Sequence, residues 1–295
     1  MLYGKGFYFC SKTVRPSESI ASKKSKTVIM RSMKLITSAQ NEQLKHLFRL
    51  LTQAKTRRES GETVLEGVHL LQTYLQSGGT PKQVYLPEKK QQHPEIQEIT
   101  AQLDEGLITW VGNEALSKIT SLTDADDVMT WIDIPKQAGL PSDGDCVVLE
   151  RVQDPGNAGT ILRSAAAAGV KQIVCSNDSV DIWSPKVLRA GMGAHFLLSI
   201  FSRVELSAWM ETYQHPIWAT ALGGRNIGLY EMNLSQPCAW VFGNEGSGVS
   251  ERIKEKAEAC VKIPMLGQTE SLNVAMAATV CLFEQMRQRI HAQVV

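Results

Sequence analysis

The sequence predicts an α/β protein in two parts: a small mixed α/β domain, then a mainly parallel sheet covered by helices on both faces. Three observations predict it. Beyond residue 145, short apolar runs of strand length alternate with helical patterns, as the strands and crossovers of a parallel sheet do. Residues 137–144, QAGLPSDG, are rich in Gly, Pro, Ser and Asp and separate that alternation from a smaller one before it. Two glycine-bearing loops late in the chain each follow an apolar run and each open a helix, the arrangement that builds a pocket at the carboxyl ends of strands. At 295 residues the chain is long enough for two cores.

The elements follow in order. Asn41 to Ala54 reads as a helix, with Leu44, Leu47, Phe48 and Leu51 at helical spacing. A polar, basic link carries Lys55, Arg57 and Arg58 to the strand Thr63–Leu65. Gly67 to Leu75 is a second helix, and Gln83–Leu86 and Leu107–Val111 are strands. After the linker come the strand Cys146–Leu149, a helix from Ala158 to Ala168 ended by Gly169, and the strand Val170–Cys175. Pro185–Ala190 is a short helix and Phe196–Phe201 a strand. Glu205–Tyr213, Ile217–Leu222, Ala239–Phe242, Glu251–Ala259, Cys260–Ile263 and Ser271–Arg289 complete the alternation.

Composition narrows the function classes. Apolar and charged contents of 43% and 21% are those of a soluble globular protein, and no apolar run approaches the length of a membrane span. Lys and Arg exceed Glu18 by six before Met33, so within a chain total of +1 the remainder carries −5. A mildly acidic body argues against a general polyanion binder and allows an enzyme gripping RNA through local basic patches. Residues 1–33 form a basic extension expected to be disordered. It reads as a basic arm on RNA, as a targeting peptide that would direct the chain to mitochondria, or as sequence upstream of a true start at Met33. The six cysteines lack any C-x-x-C pair, which points to reduced, buried thiols in a cytoplasmic protein with no metal site.

The informative stretch runs from Val241 to Glu284. Ala239–Phe242 breaks at Gly243-Asn244-Glu245-Gly246, and Cys260–Ile263 breaks at Pro264 and leads to Ser271-Leu272-Asn273. Upstream, Asn157, Gly159 and Arg163 stand at fixed offsets behind the Asp154-Pro155-Gly156 turn. These three motifs, in this order, resemble those of the SpoU (TrmH-type) RNA 2′-O-methyltransferases of the SPOUT superfamily. The resemblance covers about half the chain.

The resemblance implies a SPOUT domain over 145–295 with a trefoil knot near its carboxyl terminus, a ribosomal-protein L30e-like substrate-binding domain over 34–136, and a homodimer. It implies S-adenosyl-L-methionine as cofactor, contacted by Gly243, Ile263 and Leu272, and an active centre of Asn157, Arg163, Glu245, Ser271 and Asn273. Plain packing also accounts for Ile263 and Leu272, turn geometry for Gly243 and Gly246, and helix capping for Ser271. Arg163 either pairs a carboxylate such as Asp154 or clamps an RNA phosphate and the developing oxyanion, since a guanidinium stays protonated. Glu245 stands as a proton acceptor or as a partner orienting Arg163. Lys186 and Arg189, three apart on one short helix, and Arg57 with Arg58 are weaker RNA-binding candidates; exposed faces are the alternative. The alanines Ala165–Ala168, Ala275, Ala277 and Ala278 suit close helix packing.

The expected activity is S-adenosylmethionine-dependent 2′-O-methylation of a ribose in structured RNA, ribosomal RNA ahead of transfer RNA. A catalytically silent RNA-binding or ribosome-assembly factor is the rival. A Rossmann-type oxidoreductase lacks its G-x-G-x-x-G fingerprint.

Overall fold

The computed structural model describes residues 34–120, 128–221 and 226–294. The basic extension 1–33 and Leu222, the end of a predicted strand, lie outside the described residues. The elements are β1 (Leu35–Ile36), α1 (Glu42–Thr52), α2 (Ala54–Ser60), β2 (Glu62–Glu66), α3 (Val68–Gln76), β3 (Gln83–Pro87), α4 (Pro94–Thr100), β4 (Ile108–Val111), α5 (Asn113–Ser117) and β5 (Met129–Asp133). They continue with β6 (Cys146–Leu149), α6 (Pro155–Ala167), β7 (Gln172–Ser176), α7 (Pro185–Gly191), β8 (Ser199–Val204) and α8 (Leu206–Met210). The last are β9 (Ile217–Thr220), β10 (Asn226–Gly228), β11 (Ala239–Phe242), α9 (Glu251–Lys256), β12 (Ala259–Lys262) and α10 (Val274–Val294).

The first five strands form a mixed sheet in the order β1-β4-β3-β5-β2, with β5 antiparallel to both of its neighbours. Helix α1 covers one face. Its buried stripe is Leu44, Leu47, Leu50 and Leu51, while Phe48, expected inside, is 44% exposed. Leu50 takes that place because the helix meets the sheet through the i, i+3, i+6, i+7 edge of its apolar face. Asn41 caps α1, accepting the Gln43 amide at 2.9 Å. The basic link at 54–60 is itself a helix, ended by Gly61 at φ 68°. Helices α3 and α4 cover the other face with Leu71, Ile96 and Ile99.

The second sheet has the order β10-β12-β9-β11-β6-β7-β8, and every pairing in it is parallel. Strand alternation divides its side chains cleanly. Val147, Leu149, Ile173, Trp240 and Phe242 face α6, α7 and α10, whereas Cys146, Val148, Val174, Ala239 and Val241 face α8 and α9. Helix α10 is pinned by Asp145, which accepts from Gln285 Nε2 and Arg289 Nη2, both at 2.9 Å. Cys146, Cys175, Cys238 and Cys281 are free and buried, and burial pushes the Cys175 thiol up to about 12.

The two sheets share one hydrophobic cluster: Leu65, Leu70 and Ile132 of the first part pack with Trp183, Val187 and Leu188 of the second. Among the described residues no helix is long and apolar enough to cross a membrane.

Candidate active site

The site lies beyond the carboxyl ends of β6, β9, β11 and β12. Its first component is the turn after β6. Asp154 caps α6, accepting the Asn157 amide at 2.8 Å, and Pro155 occupies the first helical position, where its missing N–H costs nothing. The helix therefore starts three residues before the predicted Ala158. Asn157 lies in its first turn, and Arg163 lies beyond the second.

The second component is the loop after β11. Asn244 and Gly248 exchange both backbone hydrogen bonds, at 3.1 and 2.8 Å, closing a tight ring. Inside it, Asn244 Oδ1 accepts the amides of Gly246 and Ser247 at 3.0 and 3.1 Å. Asn244 Nδ2 donates to the Arg151 carbonyl at 2.9 Å, fixing the loop against the turn after β6. A Cβ on Gly243 would stand 2.2 Å from the backbone of Gly248 and Val249, so this glycine is required by the ring's own closure. A Cβ on Gly246 would meet only Asn244 Oδ1 at 3.6 Å, so space does not demand glycine there.

The third component is the start of α10, capped by Asn273. Its Oδ1 accepts the amides of Ala275 and Met276 at 2.9 and 3.3 Å. Capping thus falls to Asn273. Ser271 lies exposed two residues earlier, and α10 starts at Val274.

A line of hydrogen bonds joins the three components. Glu245 Oε1 accepts from the Asp154 amide at 3.0 Å and from Asn157 Nδ2 at 3.2 Å, and its Oε2 accepts from the Gln153 amide at 3.2 Å. Asn157 Oδ1 in turn accepts from Asn273 Nδ2 at 2.9 Å. Partial burial alone would raise the pKa of Glu245, but these donors outweigh it and hold the carboxyl below its ordinary value of 4.5. A carboxylate so stabilised is a weaker base and a better scaffold.

Beside this line opens a cavity of about 540 Å³, walled by residues 243–248 and by Ile263, Met265, Leu272 and Val274. Gly243, Ile263 and Leu272, the predicted cofactor residues, all line it. Thr220, which sequence reading passed over, also lines it and donates from Oγ1 to the Val241 carbonyl at 3.0 Å. Asn244 is the other omission; an Asn followed by Gly is the signal for such a side-chain-closed turn.

The structure brings together Asn157, Glu245 and Asn273. Ser271 lines the same cavity with no hydrogen bond of its own among the described residues. Arg163 is exposed and makes no ion pair there with Asp154 or Glu245, so neither proposed carboxylate holds it. Its place beyond the second turn of α6 also removes the macrodipole penalty, which fades within the first turn. Two weaker RNA-binding candidates are engaged elsewhere. Arg57 is 4% exposed and paired with Asp181, and Arg189 pairs with Glu66. Arg58 and Lys186 remain exposed.

Comparison with known proteins gives a consistent result. Residues 145–283 match the SpoU rRNA Methylase family, and residues 41–130 match the MRM3-like substrate binding domain. A tRNA/rRNA methyltransferase of Synechocystis sp., itself uncharacterized, is 37% identical over 266 residues, covering 86% of this chain and 94% of the relative. The 23S rRNA (guanosine(2553)-2′-O)-methyltransferase RlmP of Bacillus subtilis is 30% identical over 256 residues, covering 85% and 98%. Among solved structures, an AdoMet-bound rRNA methyltransferase from Sinorhizobium meliloti superposes with a TM-score of 0.75 at 30% identity, covering 86% of this chain and 98% of that one.

Proposed function

The chain belongs to the SpoU rRNA methylase family, and from that premise we propose that it methylates a ribose 2′-hydroxyl in large-subunit ribosomal RNA with S-adenosyl-L-methionine. The observation that carries this reading is the Glu245–Asn157–Asn273 line, which ties all three motifs together beside the cavity that Glu245 and Asn273 line. A cavity of about 540 Å³ is of the size that encloses a nucleoside-bearing ligand. The amides of its 243–248 wall are largely spent within the loop, so that wall meets an adenine edge through backbone carbonyls, and Ile263, Leu272 and Val274 offer apolar contact. The cofactor supplies an electrophilic methyl group on a sulfonium.

The protein's part is to hold the cavity closed and to place the hydroxyl. Glu245, kept ionised, fixes the amides of Gln153 and Asp154 and so the start of α6. Arg163, without a partner among the described residues, holds the phosphate beside the target ribose and stabilises negative charge growing on the 2′-oxygen. The 2′-proton passes to that phosphate or to water; Glu245 is poorly suited to take it. Residues 41–130 grip the RNA, with Arg58 among the contacts.

Two wider features belong to the same reading. Strand β12 enters the sheet between β9 and β10, both earlier in the chain, which supports a threaded carboxyl-terminal segment, the trefoil knot. Met276, Phe283 and Ile290 stand seven apart on α10, and each is at least 39% exposed, which supports pairing with a second copy. A cytoplasmic location, or a mitochondrial one if residues 1–33 direct it, completes the proposal.

The test is a map of 2′-O-methyl groups in RNA from a strain lacking this chain against its parent. One ribosomal position losing its methyl group, restored by the purified protein and S-adenosylmethionine, is the expected result. Loss confined to transfer RNA would move the substrate, and no loss with no calorimetric cofactor binding would sink the assignment.

A further inference from the structure

Residues 181–196, between β7 and β8, join the two parts of the molecule through five separate contacts. Asp181 Oδ2 accepts from Arg57 Nε at 2.8 Å and lies 2.7 Å from Arg57 Nη2, while Arg57 Nη1 donates to the Leu50 carbonyl. Thr63, fully buried in β2, donates from Oγ1 to the Trp183 carbonyl at 2.9 Å. Arg189 of α7 pairs with Glu66 at the end of β2, whose side chain is fully buried. A Cβ on Gly193 would lie 2.4 Å from Thr73 Cγ2, so the backbone there rests on α3. Phe196 meets Tyr74 edge-on, with ring centroids 5.0 Å apart.

The same segment leans on the helix that carries Asn157 and Arg163. A Cβ on Gly159 would stand 2.4 Å from Ala190 Cβ, so α6 and α7 cross at backbone distance. His195 supports α7 from beneath: it is 1% exposed, hydrogen-bonded to the Ile182 carbonyl at 2.9 Å, and within 2.9 Å of where a Gly191 Cβ would stand. Contacts of this tightness transmit displacement because a close-packed interface has no slack to absorb it.

From this geometry we infer that residues 181–196 set the register of methylation: they mount the RNA-gripping part at a fixed offset from Arg163, and that offset selects which ribose is modified. The inference rests on the proposed methyltransferase reading. Asp181, Thr63 and Trp183 are positioning residues, outside the lining of the cavity. An apolar interface would also join the parts, but buried directional pairs fix one arrangement and leave no sliding alternative. Placement errors of about 1 Å can cost about a hundredfold in rate, so a loosened mount shows in which ribose reacts.

The test uses the full chain with large-subunit ribosomal RNA from the deletion strain, and maps every methylated ribose. Thr63→Val removes one hydrogen bond at nearly constant shape, and Thr63→Ser keeps it. The double exchange Arg57→Met with Asp181→Leu removes the ion pair without leaving a lone charge. Thr63→Val and the double variant should bind S-adenosylmethionine within about twofold of the parent, since the mount lies outside the cavity. Methylation at the parent position should fall by about tenfold or more while neighbouring riboses gain methyl groups, and Thr63→Ser should restore selection. Unchanged position and rate in both variants would overturn the inference, as would cofactor binding lost in step with activity. If the parent protein transfers no methyl to any RNA, the functional reading itself fails, and the inference with it.

Discussion

In the proposed reaction Arg163 is the residue on which the chemistry turns, and its surroundings make a sharp prediction. It makes no hydrogen bond or ion pair among the described residues, so its removal should leave the cavity and the Glu245–Asn157–Asn273 line undisturbed. Arg163→Ala should keep cofactor affinity while losing about 3–4 kcal/mol of transition-state stabilisation, the usual cost of one donor at a developing oxyanion. Arg163→Lys should recover little, because an ammonium cannot reproduce the planar fork. Single-turnover transfer at saturating cofactor reads this directly, and near-parental rates in both variants would leave Arg163 without a role. Glu245→Gln should behave differently. It replaces one of the two acceptor oxygens by a donor facing backbone amides, so both thermal stability and cofactor affinity should fall. A variant that bound cofactor normally but failed to transfer would reinstate Glu245 as a proton acceptor.

At the scale of elements, two glycines separate geometric need from mere occurrence. Gly243→Ala forces a methyl group to 2.2 Å from the backbone of Gly248 and Val249, which should open the ring after β11 at a cost of about 1–3 kcal/mol. Gly246→Ala meets only ordinary contact and should change the melting temperature little. The damage from Gly243→Ala should be to the loop's closure, and should reach the cavity that the loop lines. His195 gives a pH signature for α7. Burial takes it from 6.5 down to about 4. The unfolded chain therefore binds its proton at higher pH than the folded one. The stabilisation is complete above about pH 6.5 and is lost as pH falls toward 4, by roughly 3 kcal/mol in all. Urea midpoints between pH 7 and 4.5 should slope accordingly, and His195→Gln should flatten the slope by about one proton.

Much of this was legible in the sequence because it rests on local chemistry. The strand runs 146–149 and 239–242 were read with correct bounds, since continuous apolar stretches ended by polar residues or glycine have few other uses. The three motifs carried the family, and the cavity lies against the predicted Gly243, Ile263 and Leu272. What escaped was set by distant partners. Arg57 looked like a free cation in a basic link; its ion pair with Asp181 lies 124 residues away, and the link folds as α2. The pairing of Arg189 was hidden for the same reason, as its partner Glu66 lies 123 residues earlier. The start of α6 moved from Ala158 to Pro155 because Pro at the first helical position reads as a turn until its cap, Asp154, is seen.

For the whole molecule the open surface of α10 is decisive. Met276 and Ile290 are each 53% exposed and Phe283 is 39% exposed, at a spacing of seven residues that places them along one helix face. Isolated exposed apolar residues need no partner, but three in register on a helix make a seam that water covers at a cost. A two-fold axis lets the same seam meet itself, which is the commonest solution for a soluble chain. The opposite face of α10 is already committed to the core through Ala278, Cys281, Leu282 and Gln285, so the helix cannot turn to hide the seam. Phe283→Asp should therefore give a folded monomer, because the buried face of α10, with Ala278, Cys281, Leu282 and Gln285, is left unchanged. Sedimentation equilibrium should show twice the chain mass for the parent and the single chain mass for the variant. Calorimetry should still show cofactor binding if the cavity within one chain is sufficient. A parent that sediments as a monomer at tens of micromolar would refute the seam as an interface, and a variant that remains dimeric would place the contact on another face.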